Sequence, residues 1–160
     1  MELQEQSSHM VRVYDNILPN ELCEKLIKLF DSSKHHEYIN NDHKPCFTQL
    51  NLNQYHMNVV RSLIPYVQKV YNKYKTKFLP QLSSLEEFRI KRYLTNGDER
   101  FDEHIDVTNY STARRIVAFI FYLNGNNGST IFSNQDLNIE PQCGRVVVFP
   151  PTWEYPHSGL

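Results

Sequence analysis

The sequence lacks any long block of like charge and any long apolar run. Its 160 residues carry a formal net charge of -1, so electrostatics indicate neither nucleic acid nor an anionic membrane as a partner. No apolar stretch reaches the length that crosses a bilayer, and residues 1–9 lack the apolar core of a secretory signal. These absences predict a soluble protein of the cytoplasm.

Cysteine is also scarce. The three cysteines, Cys23, Cys46 and Cys143, are an odd number without Cys-x-x-Cys spacing. This pattern argues against a disulfide framework and against a cysteine zinc site, and it favours a reducing compartment. The chain is long enough for one domain with a real core and too short for two, so we predict a single domain over 1–160.

The hydrophobic period changes from helical to extended near residue 86. Before this point, a strand pattern is followed by a helical lead, which we place at about 11–80 and expect to cover one sheet. Its predicted elements are a strand over 11–18, a helix over 20–30, a loop over 31–53 and a helix over 60–78, interrupted at Pro65.

The second half, about 86–160, alternates as strands do. Its apolar runs predict strands that begin near residue 86 and continue over 101–107, 115–123, 128–132 and 144–149. Arg115, the first residue of the third of these strands, is expected to meet solvent. Helices followed by closely spaced strands predict an α+β fold with a mainly β core, arranged as a sandwich or jelly roll.

Two residues in this half suggest a metal site. Residues two apart in a strand share a face, so His104 and Asp106 can offer an imidazole and a carboxylate to one point. His157 could return as a third ligand. Two histidines and one carboxylate on one face are the ligand set of non-haem Fe(II) oxygenases. Zinc accepts the same donors, so residue types alone leave hydrolysis open as well.

Several motifs follow one another in a diagnostic order. They are Arg92-Tyr93, His104-Ile105-Asp106, Tyr122-Leu123-Asn124, Gly128-Ser129-Thr130, Gly144-Arg145, Phe149-Pro150 and Pro156-His157-Ser158-Gly159. In this order the chain resembles the 2-oxoglutarate- and Fe(II)-dependent dioxygenases, and within them most resembles the prolyl 4-hydroxylase group.

The resemblance implies a double-stranded β-helix with a catalytic Fe(II) held by His104, Asp106 and His157. In such enzymes, 2-oxoglutarate and O2 are converted to succinate and carbon dioxide while a substrate C–H bond is hydroxylated, and ascorbate serves as a reductant. The expected substrate is a prolyl residue of a peptide or protein.

The resemblance also implies a cosubstrate pocket. Tyr122 is expected to hydrogen-bond the distal carboxylate of 2-oxoglutarate, and Tyr93 and Thr130 are expected to line the same pocket.

One motif of the family is absent. The family places a Lys or Arg roughly ten residues after the distal histidine, where it pairs with the distal carboxylate of the cosubstrate. The sequence stops at Leu160, so we expect the natural chain to continue past this residue. The substitutes within the sequence are Arg92, Arg114 and Arg145.

Other functions stay open. The missing basic residue favours a catalytically silent domain that keeps the fold and the metal. An oxygenase could also act on a non-prolyl residue or on a small molecule, because fold resemblance does not carry substrate. A zinc hydrolase lacks an evident general base beside the ligands.

Overall fold

The computed structural model describes residues 9–42, 44–95, 97–126 and 128–160. Its helices are α1 (Asn20–Ser32), α2 (Leu52–Tyr55) and α3 (Met57–Tyr74). Its strands are β1 (Arg12–Tyr14), β2 (Glu37–Asn40), β3 (Cys46–Asn51), β4 (Arg89–Arg92), β5 (Phe101–His104), β6 (Ala118–Phe121), β7 (Thr130–Phe132), β8 (Leu137–Ile139), β9 (Val146–Phe149) and β10 (His157–Gly159). Within these ranges no helix is long and apolar enough to cross a membrane.

The strands form three antiparallel sheets. Their orders are β1-β9-β6, β5-β10-β7-β8 and β2-β3-β4. Side chains from the first two sheets meet in one apolar cluster, which includes Val11, Val147 and Phe149 from one sheet and Phe132 and Ile139 from the other. Two sheets with a shared core and helices outside confirm the predicted α+β fold with a mainly β core.

Strand β9 is buried on both faces. Val147 and Phe149 point into the cluster between the two sheets, whereas Val146 and Val148 pack in a second cluster with Val70 of α3. All four strand residues are fully buried. Burial of each such side chain stabilises the fold by roughly 1.5–3 kcal/mol. This double burial explains why the strand reads as a continuous apolar run.

The helical lead covers the β2-β3-β4 sheet. Leu26 of α1 and Leu63 of α3 lie in one apolar cluster with Leu50 of β3 and Ile90 of β4. The first helix is two residues longer than predicted. We expected Pro65 to kink helix α3 or to restart it. Helix α3 runs from residue 57 to 74 as one helix with Pro65 inside it, so the helix does not restart at this proline.

The predicted loop over 31–53 was also wrong, because it contains β2 and β3. Strand β3 mixes polar and apolar residues, so its sequence shows no clear alternation, yet Cys46, Phe47, Thr48 and Leu50 are all buried. Strand β2 is mostly exposed and therefore has little apolar signal. Pairing with β3 rather than burial of its own side chains accounts for this strand.

The strands of the second half are shorter than predicted. Strand β6 covers only 118–121, and its residues are half-buried instead of buried on both faces. It pairs with β9 on one side, and the described residues supply no strand on the other. Strand β8 was missed, because its three residues lie in a polar segment and only Ile139 is buried.

Candidate metal centre

His104 and His157 are direct cross-strand partners. His104 ends β5, His157 begins β10, and the two residues face each other in the antiparallel ladder. Opposed residues of an antiparallel pair project on the same side of the sheet. Their ring centroids are 4.3 Å apart. Strand pairing alone therefore brings together two imidazoles that are distant in sequence.

Asp106 completes the group from a bend beyond β5. The predicted strand over 101–107 was wrong at this end, because β5 stops at His104. The carboxylate nevertheless turns back toward the histidines: Oδ1 of Asp106 lies 3.5 Å from Nε2 of His104 and 3.7 Å from Nε2 of His157. The three ligand atoms lie within 4.8 Å of one another and could hold one metal ion.

Hydrogen bonds orient both imidazoles. Nδ1 of His104 lies 2.8 Å from the carbonyl oxygen of Asp102, and Nδ1 of His157 lies 3.1 Å from that of Tyr155. A carbonyl can only accept, so each Nδ1 carries the proton and donates it. The lone pair of each Nε2 is left to face Asp106. This is the arrangement in which backbone carbonyls fix histidine ligands for a metal.

Burial and charge favour neutral imidazole and ionised carboxylate. Burial lowers the pKa of His157, although the Asp106 carboxylate opposes the shift. Burial alone would raise the pKa of Asp106, but a hydrogen bond from His104 and the charge of His157, in the protonated form of these imidazoles, and the charge of Arg115 bring it below its usual range. Both directions favour the protonation states that bind metal.

Aromatic rings enclose the histidines. Phe101 stacks on His104 with centroids 3.4 Å apart, and Phe149 meets His157 edge-on at 4.7 Å. Phe132, the cross-strand partner of His157 in β7, closes the other side. Phe132 and Phe149 are fully buried. The apolar wall shields His157, whose side chain is 6% exposed, whereas the side chain of Asp106 is 26% exposed, so the mouth of the centre lies on the side of Asp106.

Arg115 supports the bend that carries Asp106. Its Nη1 donates a 2.8 Å hydrogen bond to the carbonyl oxygen of Asp106, and its Nε donates to Oε1 of Glu86, also at 2.8 Å. The side chain of Arg115 is 35% exposed, so it meets solvent as expected and also makes these two contacts. Its position at the start of an apolar run gave no indication of this long-range contact.

The expected cosubstrate residues lie on the walls of the same region. The hydroxyl of Tyr122 donates to Oγ1 of Thr130 at 2.6 Å. Thr130 is two residues from Phe132 along β7, which corresponds to about 7 Å of strand. Tyr93 contacts Phe47 with ring centroids 5.2 Å apart, and burial raises its pKa. The roles of Tyr93, Tyr122 and Thr130 in cosubstrate binding stay predictions.

The three arginines proposed as substitute carboxylate anchors either have partners within the protein or are exposed. Arg92 projects to the helices, where its guanidinium lies 5.3 Å from the ring centroid of Phe30. Arg145 forms an ion pair with Asp15 at 2.6 Å, and Arg114 is exposed.

The two aromatic residues that precede His157 have different environments. Tyr155 is buried in the core, and its hydroxyl accepts a 3.0 Å hydrogen bond from the backbone of Met10. Trp153, in contrast, is 74% exposed. The backbone N–H of Val107 donates to the carbonyl of Pro151 at 3.0 Å, which holds the segments after Asp106 and before His157 together. The segment that carries Trp153 is therefore tied to the segment that follows Asp106.

The comparison with protein families agrees with this geometry. Residues 88–160 match the family described as the 2OG-Fe(II) oxygenase superfamily. The resemblance drawn from the ordered motifs is confirmed. No curated protein matches the chain.

Solved structures of prolyl hydroxylases share the fold. The viral collagen prolyl hydroxylase of Paramecium bursaria Chlorella virus-1, in its 2OG complex, aligns with a TM-score of 0.74 and 17% identity over 96% of this chain and 88% of its own. A Pseudomonas putida prolyl-4-hydroxylase gives 0.68 and 19% over 96% and 86%. A Trichoplax adhaerens prolyl hydroxylase in complex with a hypoxia inducible factor peptide fragment gives 0.75 and 14% over 94% and 77%. These likenesses confirm the double-stranded β-helix.

Proposed function

We propose that this chain is a 2-oxoglutarate- and Fe(II)-dependent dioxygenase that hydroxylates prolyl residues of a peptide or protein. The observation that carries the proposal is the convergence of His104, Asp106 and His157, with their ligand atoms within 4.8 Å of one another. The family match over 88–160 implies Fe(II), 2-oxoglutarate and O2 for this segment. The overall reaction converts 2-oxoglutarate, O2 and a C–H substrate to succinate, carbon dioxide and the alcohol.

The donor set fits iron. Two imidazole nitrogens and one carboxylate oxygen on one face of an octahedral Fe(II) leave three positions for cosubstrate and oxygen. In this role His104 and His157 bind through Nε2, and Asp106 binds through a carboxylate oxygen. Iron supplies the activation of oxygen when it is bound. The chain's own contribution is to orient the imidazoles through Nδ1 and to hold Asp106 in its bend through Arg115.

The cosubstrate would enter the cleft from the mouth. Tyr122 and Thr130 would supply paired hydroxyl groups, and Tyr93 would supply a third hydroxyl group. Burial raises the pKa of Tyr122, so its phenol stays protonated. Its single proton, which Thr130 accepts in this structure, would be donated to the carboxylate when the cosubstrate binds. The rings around the histidines exclude bulk water from the core side.

A peptide substrate suits the exposed aromatic residues near the mouth. Trp153 is 74% exposed, and Tyr110, in the segment after Asp106, is 98% exposed. Large exposed rings offer flat surfaces on which a proline ring can stack. Prolyl hydroxylases recur among the similar structures, and one of these was solved with a peptide fragment. Ascorbate as a reductant stays a prediction.

The direct test uses anaerobic protein. Addition of Fe(II) and then 2-oxoglutarate is expected to produce a metal-to-ligand charge-transfer band in the visible spectrum, which requires bidentate binding at the metal. Admission of O2 with a proline-rich peptide is then expected to release succinate and to add one oxygen atom to the peptide. His104→Ala is the inactive control, and His35→Ala, a surface histidine on the helical side, is the matched one.

Two outcomes would contradict the proposal. Protein that binds Fe(II) and gives no charge-transfer band with 2-oxoglutarate would not be an oxygenase of this class. Succinate release without any hydroxylated peptide, but with hydroxylation of a free amino acid, would keep the chemistry and overturn the prolyl peptide substrate.

A further inference from the structure

Two of the three cysteines lie together where α1 begins against the β core. Sγ of Cys143, in the turn before β9, lies 3.5 Å from Oδ1 of Asn20, the first residue of α1. Cys23 follows Asn20 by three residues, and side chains at this spacing lie on the same face of a helix. The thiol of Cys143 is therefore directed at the face of α1 that carries Cys23.

Main-chain hydrogen bonds hold the two segments against each other. The N–H groups of Ile17 and Leu18 both donate to the carbonyl oxygen of Gly144, at 2.9 and 3.2 Å. The backbones are so close that a Cβ on Gly144 would collide with the carbonyl oxygen of Leu18. The residue that follows Cys143 is thus fixed to the residues that lead into α1.

The thiols of this Cys23–Cys143 pair are neighbours with unequal exposure. Burial raises the pKa of Cys23, and the thiol of Cys143 adds to this shift. Both cysteines are free thiols, and Cys23 is fully buried whereas Cys143 is half-buried. One member of the pair is therefore open to a reagent from solvent, and the other lies behind it in the core.

The third cysteine has different surroundings. Cys46 lies in β3 and is buried, and its Sγ is 3.4 Å from the hydroxyl oxygen of Tyr38 on β2. It belongs to the β2-β3-β4 sheet, whereas the Cys23–Cys143 pair joins α1 to the turn before β9. Cys46 thus provides an internal comparison for the reactivity of the pair.

We propose that Cys143 and Cys23 form a reversible disulfide that links α1 to the turn before β9, with a low-molecular-weight disulfide such as glutathione disulfide as the oxidant. Cys143 reacts first, because solvent reaches its thiol. In a reducing compartment, a disulfide of this kind forms only when the thiol–disulfide balance becomes more oxidising. This inference does not depend on the proposed function.

The reaction is two successive thiol–disulfide exchanges. The thiolate of Cys143 attacks one sulfur of glutathione disulfide, which forms a mixed disulfide and releases the first glutathione as a thiolate. Cys23 then loses its proton to solvent, and its sulfur attacks the Cys143 sulfur and displaces the second glutathione. The two protein thiols are oxidised by two electrons, and glutathione disulfide is reduced to two glutathione thiols.

The cross-link would also fasten the segment that carries Tyr122. The N–H of Tyr122 donates to the carbonyl oxygen of Arg145 at 2.9 Å, and the N–H of Gly144 donates to that of Tyr122 at 3.0 Å. A disulfide between Cys23 and Cys143 closes a loop that contains most of the chain. Closure of a long loop restricts the unfolded state and thereby stabilises the native one.

The test oxidises the native protein. Wild type is incubated in glutathione buffers of increasing disulfide fraction, quenched with acid and alkylated, and its intact mass and peptide map are measured by mass spectrometry. The variants are Cys23→Ala and Cys143→Ala, and Cys46→Ala is the matched control. The wild-type peptide map identifies the linked residues without any variant, so the test does not depend on the folding of Cys23→Ala.

We expect oxidised wild type to lose the mass of two hydrogen atoms and to yield a cross-linked peptide with Cys23 and Cys143, while Cys46 stays free. Its Tm should lie about 10 °C above that of the reduced protein. Cys46→Ala should behave like wild type. Cys23→Ala should stop at the mixed disulfide of Cys143 with glutathione, and native Cys143→Ala should take up no glutathione.

Three outcomes would overturn the inference. Wild type that accumulates only the mixed disulfide on Cys143, as Cys23→Ala does, would show that Cys23 cannot reach the Cys143 sulfur. A disulfide that includes Cys46 would show a different pairing. A Cys23–Cys143 link that forms in urea and not in the native protein would show that the contact in the fold does not direct the reaction.

Discussion

Nη1 of Arg115 donates a 2.8 Å hydrogen bond to the carbonyl oxygen of Asp106. The bond joins Arg115, at the start of an apolar segment, to Asp106, which is the one carboxylate among the three predicted metal ligands. Because Arg115 also pairs with Glu86, its guanidinium is held on two sides. The bend after β5 thus depends on a side chain that never reaches the metal.

Loss of this support should weaken metal binding. We expect Arg115→Ala to lower the Co(II) or Fe(II) affinity by about 10-fold, the effect typical of residues that orient metal ligands. Titration of the metal d–d absorbance would measure the change, and circular dichroism would show that the fold persists. Arg114→Ala, at the adjacent exposed position, should bind metal like wild type. Equal losses in both variants would contradict a specific role for Arg115.

The carboxylate of Asp106 should be required for a bound metal ion to stabilise the fold. A metal that binds only the native state adds about 2.7 kcal/mol to the free energy of unfolding at 100 times its Kd. We expect Co(II) to raise the Tm of wild type and to leave the Tm of Asp106→Ala unchanged. Asp31→Ala, at the exposed end of α1, should respond like wild type. An undiminished shift in Asp106→Ala would remove this residue from the ligand set.

The hydrogen bond between Tyr122 and Thr130 should appear as a coupling. Tyr122→Phe leaves the buried hydroxyl of Thr130 unpaired, and Thr130→Val leaves the half-buried hydroxyl of Tyr122 unpaired. Each variant should lose about 1 kcal/mol of unfolding free energy. Urea unfolding of both single variants and of the double variant would measure this, and the double variant should lose less than the sum.

If the double variant lost as much unfolding free energy as the two single variants together, the hydroxyl groups of Tyr122 and Thr130 would not interact. Tyr122→Phe should also raise the Kd of 2-oxoglutarate by about 5-fold, because one donor is lost. Tyr55→Phe, at an exposed ring stacked on His35, is the control and should bind like wild type.

The three cysteines should differ in reactivity. Burial raises the pKa of Cys23 to about 12, and the neighbouring Cys143 thiol adds to the shift, so Cys23 stays a thiol until the solution is strongly alkaline. Cys143 is only half-buried, whereas Cys46 is fully buried. Iodoacetamide at pH 8 should therefore alkylate Cys143 in the native protein and spare the other two, as peptide mass spectrometry would show.

Denatured protein should be alkylated at every cysteine, which is the control for intrinsic reactivity. Alkylation of native Cys23 as fast as Cys143 would contradict the buried, protonated environment of the former.

Gly144 should tolerate no side chain. Its φ is +82°, and an added Cβ would collide with the carbonyl oxygen of Leu18, whose backbone N–H donates to Gly144. Gly97 has a similar φ of +87° with open space around it. Gly97→Ala should cost about 1–2 kcal/mol of stability from the left-handed backbone alone. Gly144→Ala should cost clearly more in denaturant unfolding, and equal costs would mean that the collision is relieved by a backbone shift.

The metal ligands were predictable because their signal is local and ordered. His104 and Asp106 are two residues apart in the sequence. His157 belongs to the Pro156-His157-Ser158-Gly159 motif, which follows the other motifs in the order typical of the family. The structure brings all three together, although Asp106 lies beyond the strand in which it was expected. A carboxylate can reach the same point from a bend as from a strand. The wrong secondary structure predicted for Asp106 therefore did not affect its prediction as a ligand.

The residues around the ligands were harder to predict. Arg115 acts through a hydrogen bond to the carbonyl oxygen of Asp106, a contact between two segments that neither segment encodes alone. Strands β2 and β8 were missed because they are short and largely polar, and pairing with a neighbour stabilises them. Hydrophobic periodicity indicates which side chains are buried. It is therefore weak in strands that are stabilised mainly by backbone hydrogen bonds to a neighbouring strand.

The cross-strand pairing of His104 with His157 also sets how the centre would open and close. β10 spans only 157–159, and it lies between β5 and β7. A bound ion would tie the first residue of this short strand to the last residue of its neighbour, so separation of the two strands would require release of the ion. Amide protons of β10 would then exchange with solvent only as fast as the ion dissociates, and chelation would convert a slowly exchanging strand into a rapidly exchanging one.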